Sequence, residues 1–183
     1  GTLTLSKNLE EIYNFVFNDC NFVGTLTIPD KIKIIYDDCF AGCLGFTKLE
    51  LNDNLVEIGD EAFASCQFTG SLIIPDSVNQ IGRSAFFHND KFTGTLILPE
   101  KVHVWKYAFY NCYGFTSLVL QKYGLIGSYA FYNCSGIKGE LILPEYISYI
   151  DEYAFYNCYG FTGSLTIPSD FETIGQYAFC ECS

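Results

Sequence analysis

The sequence predicts an open solenoid, mostly β, of about eight coils of 22 to 24 residues linked by short turns or 3₁₀ segments, with a parallel sheet along one side. Two observations predict it. A Leu-x-Leu/Ile pair recurs eight times without a gap, at Leu3/Leu5, Leu26/Ile28, Leu49/Leu51, Leu72/Ile74, Leu96/Leu98, Leu118/Leu120, Leu141/Leu143 and Leu165/Ile167. Behind each pair the same landmarks follow in register. A unit of this length cannot bury its own apolar face, but stacked units share one continuous core.

Each landmark has a structural job. In the pair, two apolar side chains point inward and the residue between them outward, because strand side chains alternate. Gly24, Gly70, Gly94, Gly139 and Gly163 fit the turn that enters a strand. Pro29, Pro75, Pro99, Pro144 and Pro168 end strands, having no N–H for the ladder. An Ile/Val column comes next (Ile12, Ile35, Ile58, Ile81, Val104, Ile126, Ile150, Ile174), and five residues on a Phe column (Phe17, Phe40, Phe63, Phe86, Phe109, Phe131, Phe155, Phe179). Three residues later stands Cys in seven units and Asn89 in the fourth. A last apolar column runs from Phe22 to Phe161. Ala-Phe dipeptides with polar flanks predict a short crossing on the far side, not a long helix.

The pattern Leu-x-Leu-Pro-x-x-Val-x-x-Ile-Gly-x-x-Ala-Phe-x-x-Cys resembles the BspA-like branch of the leucine-rich repeats. Leu72 to Phe86 (LIIPDSVNQIGRSAF), Leu49 to Cys66 and Leu165 to Cys182 carry it most clearly, and it extends over the whole chain. The resemblance implies a non-catalytic adhesion or protein-binding module of a cell-surface or secreted protein, as in surface proteins of mucosal bacteria and of protists such as trichomonads. Its implied partner is a host or neighbouring-cell protein or glycan. The rival reading is a structural spacer or stalk that presents another domain.

Residues 1–183 read as a single repeat domain, expected to be a piece of a longer protein because Gly1 opens inside a patterned segment. The net charge of −11 argues against nucleic acid and anionic membrane faces as partners. No apolar run reaches the ~18 residues a spanning helix needs, so no direct membrane insertion is expected. Terminal repeats normally carry polar caps, so end coils that open on Leu3 and close on Phe179 are expected to fray or to stack on another copy.

Nine cysteines invite a disulfide reading, but seven share one column. Equivalent residues on adjacent coils have parallel Cβ vectors ~4.8 Å apart, which suits inward reduced thiols better than bridges. Cys39 and Cys180 lie off that column and read as free thiols. No paired Cys-x-x-Cys spacing suggests zinc. Asp30, Asp53, Asp76 and Glu100, with Glu145 later, share one slot; a solvated turn explains them better than calcium ligation does. His88 and His103 stand in different columns, and neither a nucleophile elbow nor a phosphate-cradling loop is present, so no enzyme, cofactor or metal is expected. Asn133-Cys134-Ser135 is a glycosylation sequon on an Asn column expected to face outward.

Function should lie where the repeats differ. The outward slot between the strand leucines reads Thr4, Thr27, Glu50, Ile73, Ile97, Val119, Ile142 and Thr166. Strand propensity alone explains β-branched residues there, whereas an interaction site explains an apolar stripe rimmed by polar residues. Twelve of the fourteen Tyr fall between Tyr107 and Tyr177, in two columns flanking Phe. Units five and six are one residue short between strand and Ile/Val column. Trp105, the only Trp, stands in that stretch in a slot held elsewhere by Gly59, Gly82, Gly127 and Gly175. The candidate ligand-binding residues are therefore Glu50, Ile73, Ile97, Val119, Ile142, Thr166 and Trp105, with the site expected on the sheet side of units four to seven.

Overall fold

In the computed structural model, which describes residues 1–120 and 124–182, the Phe column runs from the first coil to the last as one stack. Successive rings from Phe17 to Phe179 lie 5.1–5.7 Å apart and within 21° of parallel. A second stack, Phe46, Phe68, Phe92 and Phe115, runs beside it at 4.9–6.4 Å. The two meet edge-on within single coils, as at Phe86/Phe92 and Phe109/Phe115. Stacking between coils and edge contacts within them are both favoured aromatic geometries. The coils close round this double stack and the Ile/Val column.

Eleven short strands among the described residues form two sets of parallel ladders. The Leu-x-Leu segments give β1 (Gly24–Thr27) with β3 (Phe46–Glu50), and β5 (Gly70–Ile73) with β7 (Phe92–Ile97) and β9 (Ser117–Val119). The Ile/Val column gives β2 (Ile34–Ile35), β4 (Glu57–Ile58), β6 (Gln80–Ile81) and β8 (His103–Val104) in order. Bridges through Val104, Ile126 and Ile150 carry that row on to β10 (Tyr149–Ile150) and β11 (Thr173–Ile174). Sequence reasoning anticipated the first row as a sheet and the second only as a buried column. No helix occurs among the described residues.

The eight sequence units make about six regular turns. Neither Leu3/Leu5 nor Leu141/Leu143 nor Leu165/Ile167 lies in a strand. Between β3 and β5 the row breaks as well. There Asn52 replaces the strand-ending Pro, and its buried amide donates to the Pro29 and Ile32 carbonyls at 2.8 and 3.0 Å.

The crossing on the far side is built from turns rather than from 3₁₀ segments. Two residues flanking each Phe, two before and two after, adopt left-handed backbone with φ between 53° and 70°. Their amides and that of Phe donate to the next coil, as Tyr107, Phe109 and Asn111 do to Ser128, Ala130 and Tyr132. The intervening amides close i→i+3 turns, as Cys112 does on Phe109 at 3.2 Å.

The column cysteines complete the core as hydrogen-bond donors. Cys43, Cys66, Cys112, Cys134, Cys158 and Cys182 each donate Sγ–H to the Phe carbonyl of the preceding coil at 2.9–3.2 Å. Asn89 does the same with Nδ2 on Phe63 at 2.7 Å, but its Oδ1 is buried without a partner. The expectation of seven buried thiols needs one correction: Cys20 and Cys182, in the terminal coils, are half-buried. Off-column Cys39 is buried in the slot other coils give to Ala, and Cys180 is half-buried.

Candidate binding surface

The outward strand slot supplies the first part of the surface. Ile73, Ile97 and Val119 are direct partners in the parallel ladder, so three branched apolar side chains stand in one row. Ile73 is 62% and Val119 42% exposed, and Ile97 is half-buried between them. Association over such a row removes apolar area from water at roughly 25 cal/mol per Å².

The row is shorter than the sequence suggested. Ile142 is 70% exposed but lies in no strand, and neither does Thr166. Both line an open groove of about 630 Å³ with Glu140, Glu145, Tyr146 and Asp170. The ladder ends at Val119; units five and six are each one residue short, and Gln121, Lys122 and Tyr123 of the sixth lie outside the described residues.

Glu50 does not join the row either. It sits in the separate β1–β3 ladder, where it accepts from Thr27 Oγ1 at 2.9 Å and pairs with Lys48 at 2.6 Å. The Lys48 ammonium holds its carboxyl below the usual carboxylate range. Such an exposed pair contributes little to stability.

Trp105 belongs to the other ladder. It follows β8, is 43% exposed, and donates Nε1–H to Gln80 Oε1 at 3.4 Å. His103 lies beside it, with ring centroids 6.4 Å apart. Sequence spacing placed Trp105 in an irregular unit but could not say which face it would occupy.

The tyrosine columns also settle differently from a simple exposed paratope. Tyr107, Tyr129, Tyr153 and Tyr177 stack at 4.7–5.0 Å, and Phe87, Tyr110, Tyr132 and Tyr156 at 4.8–5.2 Å. All but Tyr177 are half-buried, because each ring covers its neighbours. Lys106 lies over the Tyr107 ring, 4.9 Å from its centre. Two parallel ladders therefore form a surface of ring edges and hydroxyls rather than of open ring faces.

The Asn column is tied up in a similar way. Asn157 Nδ2 donates to Asn133 Oδ1 at 2.7 Å, and Asn133 Nδ2 to Asn111 Oδ1 at 2.8 Å. The chain ends on His88, whose Nε2 is 3.2 Å from Asn111 Nδ2. Asn133 is half-buried and its amide nitrogen, the atom a glycan would need, is engaged. The outward-facing expectation for this sequon is thereby corrected: attaching a sugar there means breaking a rung. The acidic slot residues Asp30, Asp53, Asp76, Glu100 and Glu145 are all exposed. Among the described residues no three His, Cys, Asp or Glu side chains come together as a metal cluster.

The family model of the BspA type leucine-rich repeat region matches residues 1–106 and 102–183, in six copies. A leucine-rich repeat protein from Bacteroides ovatus ATCC 8483 is similar in structure, with 25% identity and a TM-score of 0.72; the match covers 98% of this chain and 52% of that protein. The chain thus spans about half the length of that relative. A leucine-rich cell surface protein from Faecalibacterium prausnitzii A2-165 is more distant, at 21% identity and a TM-score of 0.48, over 94% of this chain and 61% of that one. No curated protein matches the sequence.

Proposed function

This chain belongs to the BspA-type leucine-rich repeat family, and we propose that it acts as a non-catalytic binding module whose partner is a host or neighbouring-cell protein. The observation that carries the reading is the register of Ile73, Ile97 and Val119, which lines exposed apolar side chains along adjacent coils. The fold does not require them, since Thr27 and Glu50 fill the same slot in the neighbouring ladder. An apolar row kept in water without a structural need favours a contact surface. Its area suits a modest contact, and the flanking polar side chains would set specificity. We assign the module to the cell surface or the extracellular space, as the resemblance of its repeats implies.

The test replaces both Ile97 and Val119 by Thr, which preserves β-propensity. Purified matrix proteins should bind the unaltered chain, and the double variant should bind them at least about tenfold more weakly, a loss of ~1.4 kcal/mol. Equal binding by the double variant would remove the site from this face. Failure of the unaltered chain to bind any matrix protein or cell would leave the array a spacer.

A further inference from the structure

Trp105 occupies a slot that glycine fills in four coils and that Tyr13, Tyr36 and Asp151 fill in three others. A Cβ at Gly82, one coil earlier, would come within 2.5 Å of the Gly59 carbonyl carbon, and one at Gly175 would collide with the Glu152 amide. The rungs record the difference. The amide of this slot reaches the preceding coil at 2.7–2.8 Å from Gly59, Gly82, Gly127 and Gly175, but at 3.0 Å from Trp105 and from Asp151. A side chain of either size goes with the longer rung, and the indole is not buried in return. Core packing therefore does not explain it.

Beside the indole lies a hollow of about 350 Å³, at the small end of the range for ligand sites. Gly59 and Gly82 line it, the side-chain direction at each being filled by the preceding coil. Its rims carry Asp37, Glu57, Asp60, Gln80 and Arg83. Asp60 accepts the Arg83 amide through Oδ1 at 2.7 Å, while the Arg83 guanidinium and the Glu57 carboxylate have no ion-pair partner among the described residues.

We propose that this hollow binds a neutral saccharide, with one sugar ring stacked on the Trp105 indole and its hydroxyls shared between the acidic rim and Arg83. An exposed indole offers a flat apolar surface that matches the C–H face of a pyranose ring. A hydroxyl both donates and accepts, so it is served by carboxylate acceptors and guanidinium donors together. An anion would meet the carboxylates of Asp37, Glu57 and Asp60, and a cation would meet Arg83 beside carboxylates of which Asp37 and Asp60 already accept backbone amides at 2.8 and 2.7 Å. A polyhydroxylated neutral ligand uses both signs. So open a site should bind with roughly millimolar affinity.

The chain's single Trp makes the test direct, since all tryptophan emission comes from the proposed site. Hexoses, N-acetylhexosamines and short oligosaccharides are titrated into the protein, with tetramethylammonium as the cationic probe. At least one sugar should shift the emission saturably. The surface double variant Glu57→Gln/Arg83→Ala, shown folded by circular dichroism, should weaken that response tenfold or more. The Ile97→Thr/Val119→Thr variant should keep it, which separates this site from the apolar row. The proposal is overturned if no sugar gives a saturable shift, or if the shift survives in the Glu57/Arg83 variant. It is equally overturned if only tetramethylammonium binds, or if the row variant abolishes the response.

Discussion

Coils two to four and coils five to eight meet one backbone demand with opposite residues. The left-handed position before Phe holds Asp38, Glu61 and Ser84 in the first group, and Tyr107, Tyr129, Tyr153 and Tyr177 in the second. Small polar residues visit that conformation at modest cost, whereas a bulky ring pays about 1–2 kcal/mol. In the first group the slot holds no ring to stack on the next coil. Burial, with the Asp37 and Asp60 charges, pushes the Asp38 carboxyl up. In the second group each tyrosine stacks on its neighbours, and aromatic pairs contribute about 0.5–1.5 kcal/mol beyond their buried area. The comparison teaches that the crossing imposes the left-handed turn whatever residue arrives, and that repetition lets an ill-suited residue be compensated from the next coil.

The largest expected effect breaks the link between the two groups. Phe109 is fully buried and stacks on Phe86 below and Phe131 above, at the seam where tyrosine takes over. Phe109→Ala should cost about 3–5 kcal/mol in urea unfolding and split the transition into two. A single transition with a loss under about 1 kcal/mol would mean the stack does not couple the coils.

A smaller effect sharpens the comparison through pH. Burial pushes the Cys39 thiol up to about 12 and the Cys43 thiol up to about 11 from a usual 9.0, and raises Cys66, Cys112, Cys134 and Cys158 likewise. The folded state holds these protons more tightly than the unfolded chain does. Their contribution is therefore complete below the ordinary thiol value and is lost as pH climbs through the folded values. Burial also raises Tyr110 and Tyr129, so the tyrosine-bearing coils should weaken more steeply. The urea midpoint should fall between about pH 8 and about pH 10.5; a flat profile there would contradict thiols kept neutral by burial.

The smallest effect is a matched pair. Tyr129→Asn relieves the turn but removes stacking on both sides, for a net loss of about 1 kcal/mol; Ser84→Asn should be nearly neutral. Thermal melts of the two variants measure the difference. A stabilised Tyr129→Asn would show that the ring ladder does not offset its own strain.

Much of this was legible in the sequence, because a column repeated through the chain identifies itself. The Phe stack, the Ile/Val row and the inward cysteines follow from spacing and residue type. The separation of Trp105 from the Ile73–Val119 row was not legible, since spacing along a coil does not say which face a residue takes. Nor was the left-handed tyrosine position, which contradicts local preference and is held by inter-coil hydrogen bonds. The apolar row itself was read correctly at Ile73, Ile97 and Val119. Its extension to Ile142 assumed regular ladders beyond a unit one residue short. The engaged amide of Asn133 went unseen because a sequon is read locally and its partners lie 22 and 24 residues away.

The thiol bonds all run one way. Each column sulfur from Cys43 to Cys182 donates back to the coil before it, as Cys112 does to Phe86 and Cys134 to Phe109. Growth and loss at the two ends of such an array are therefore not equivalent. Removing coils from the C-terminal side leaves a Phe carbonyl free at the new end and strands the crossing amides that donated to the lost coil, as Tyr107, Phe109 and Asn111 donate forward to Ser128, Ala130 and Tyr132. Removing them from the N-terminal side takes away the carbonyl that the next cysteine was using. Shortening an array of this kind therefore leaves backbone N–H donors unpaired at its C-terminal side and a thiol donor unpaired at its N-terminal side.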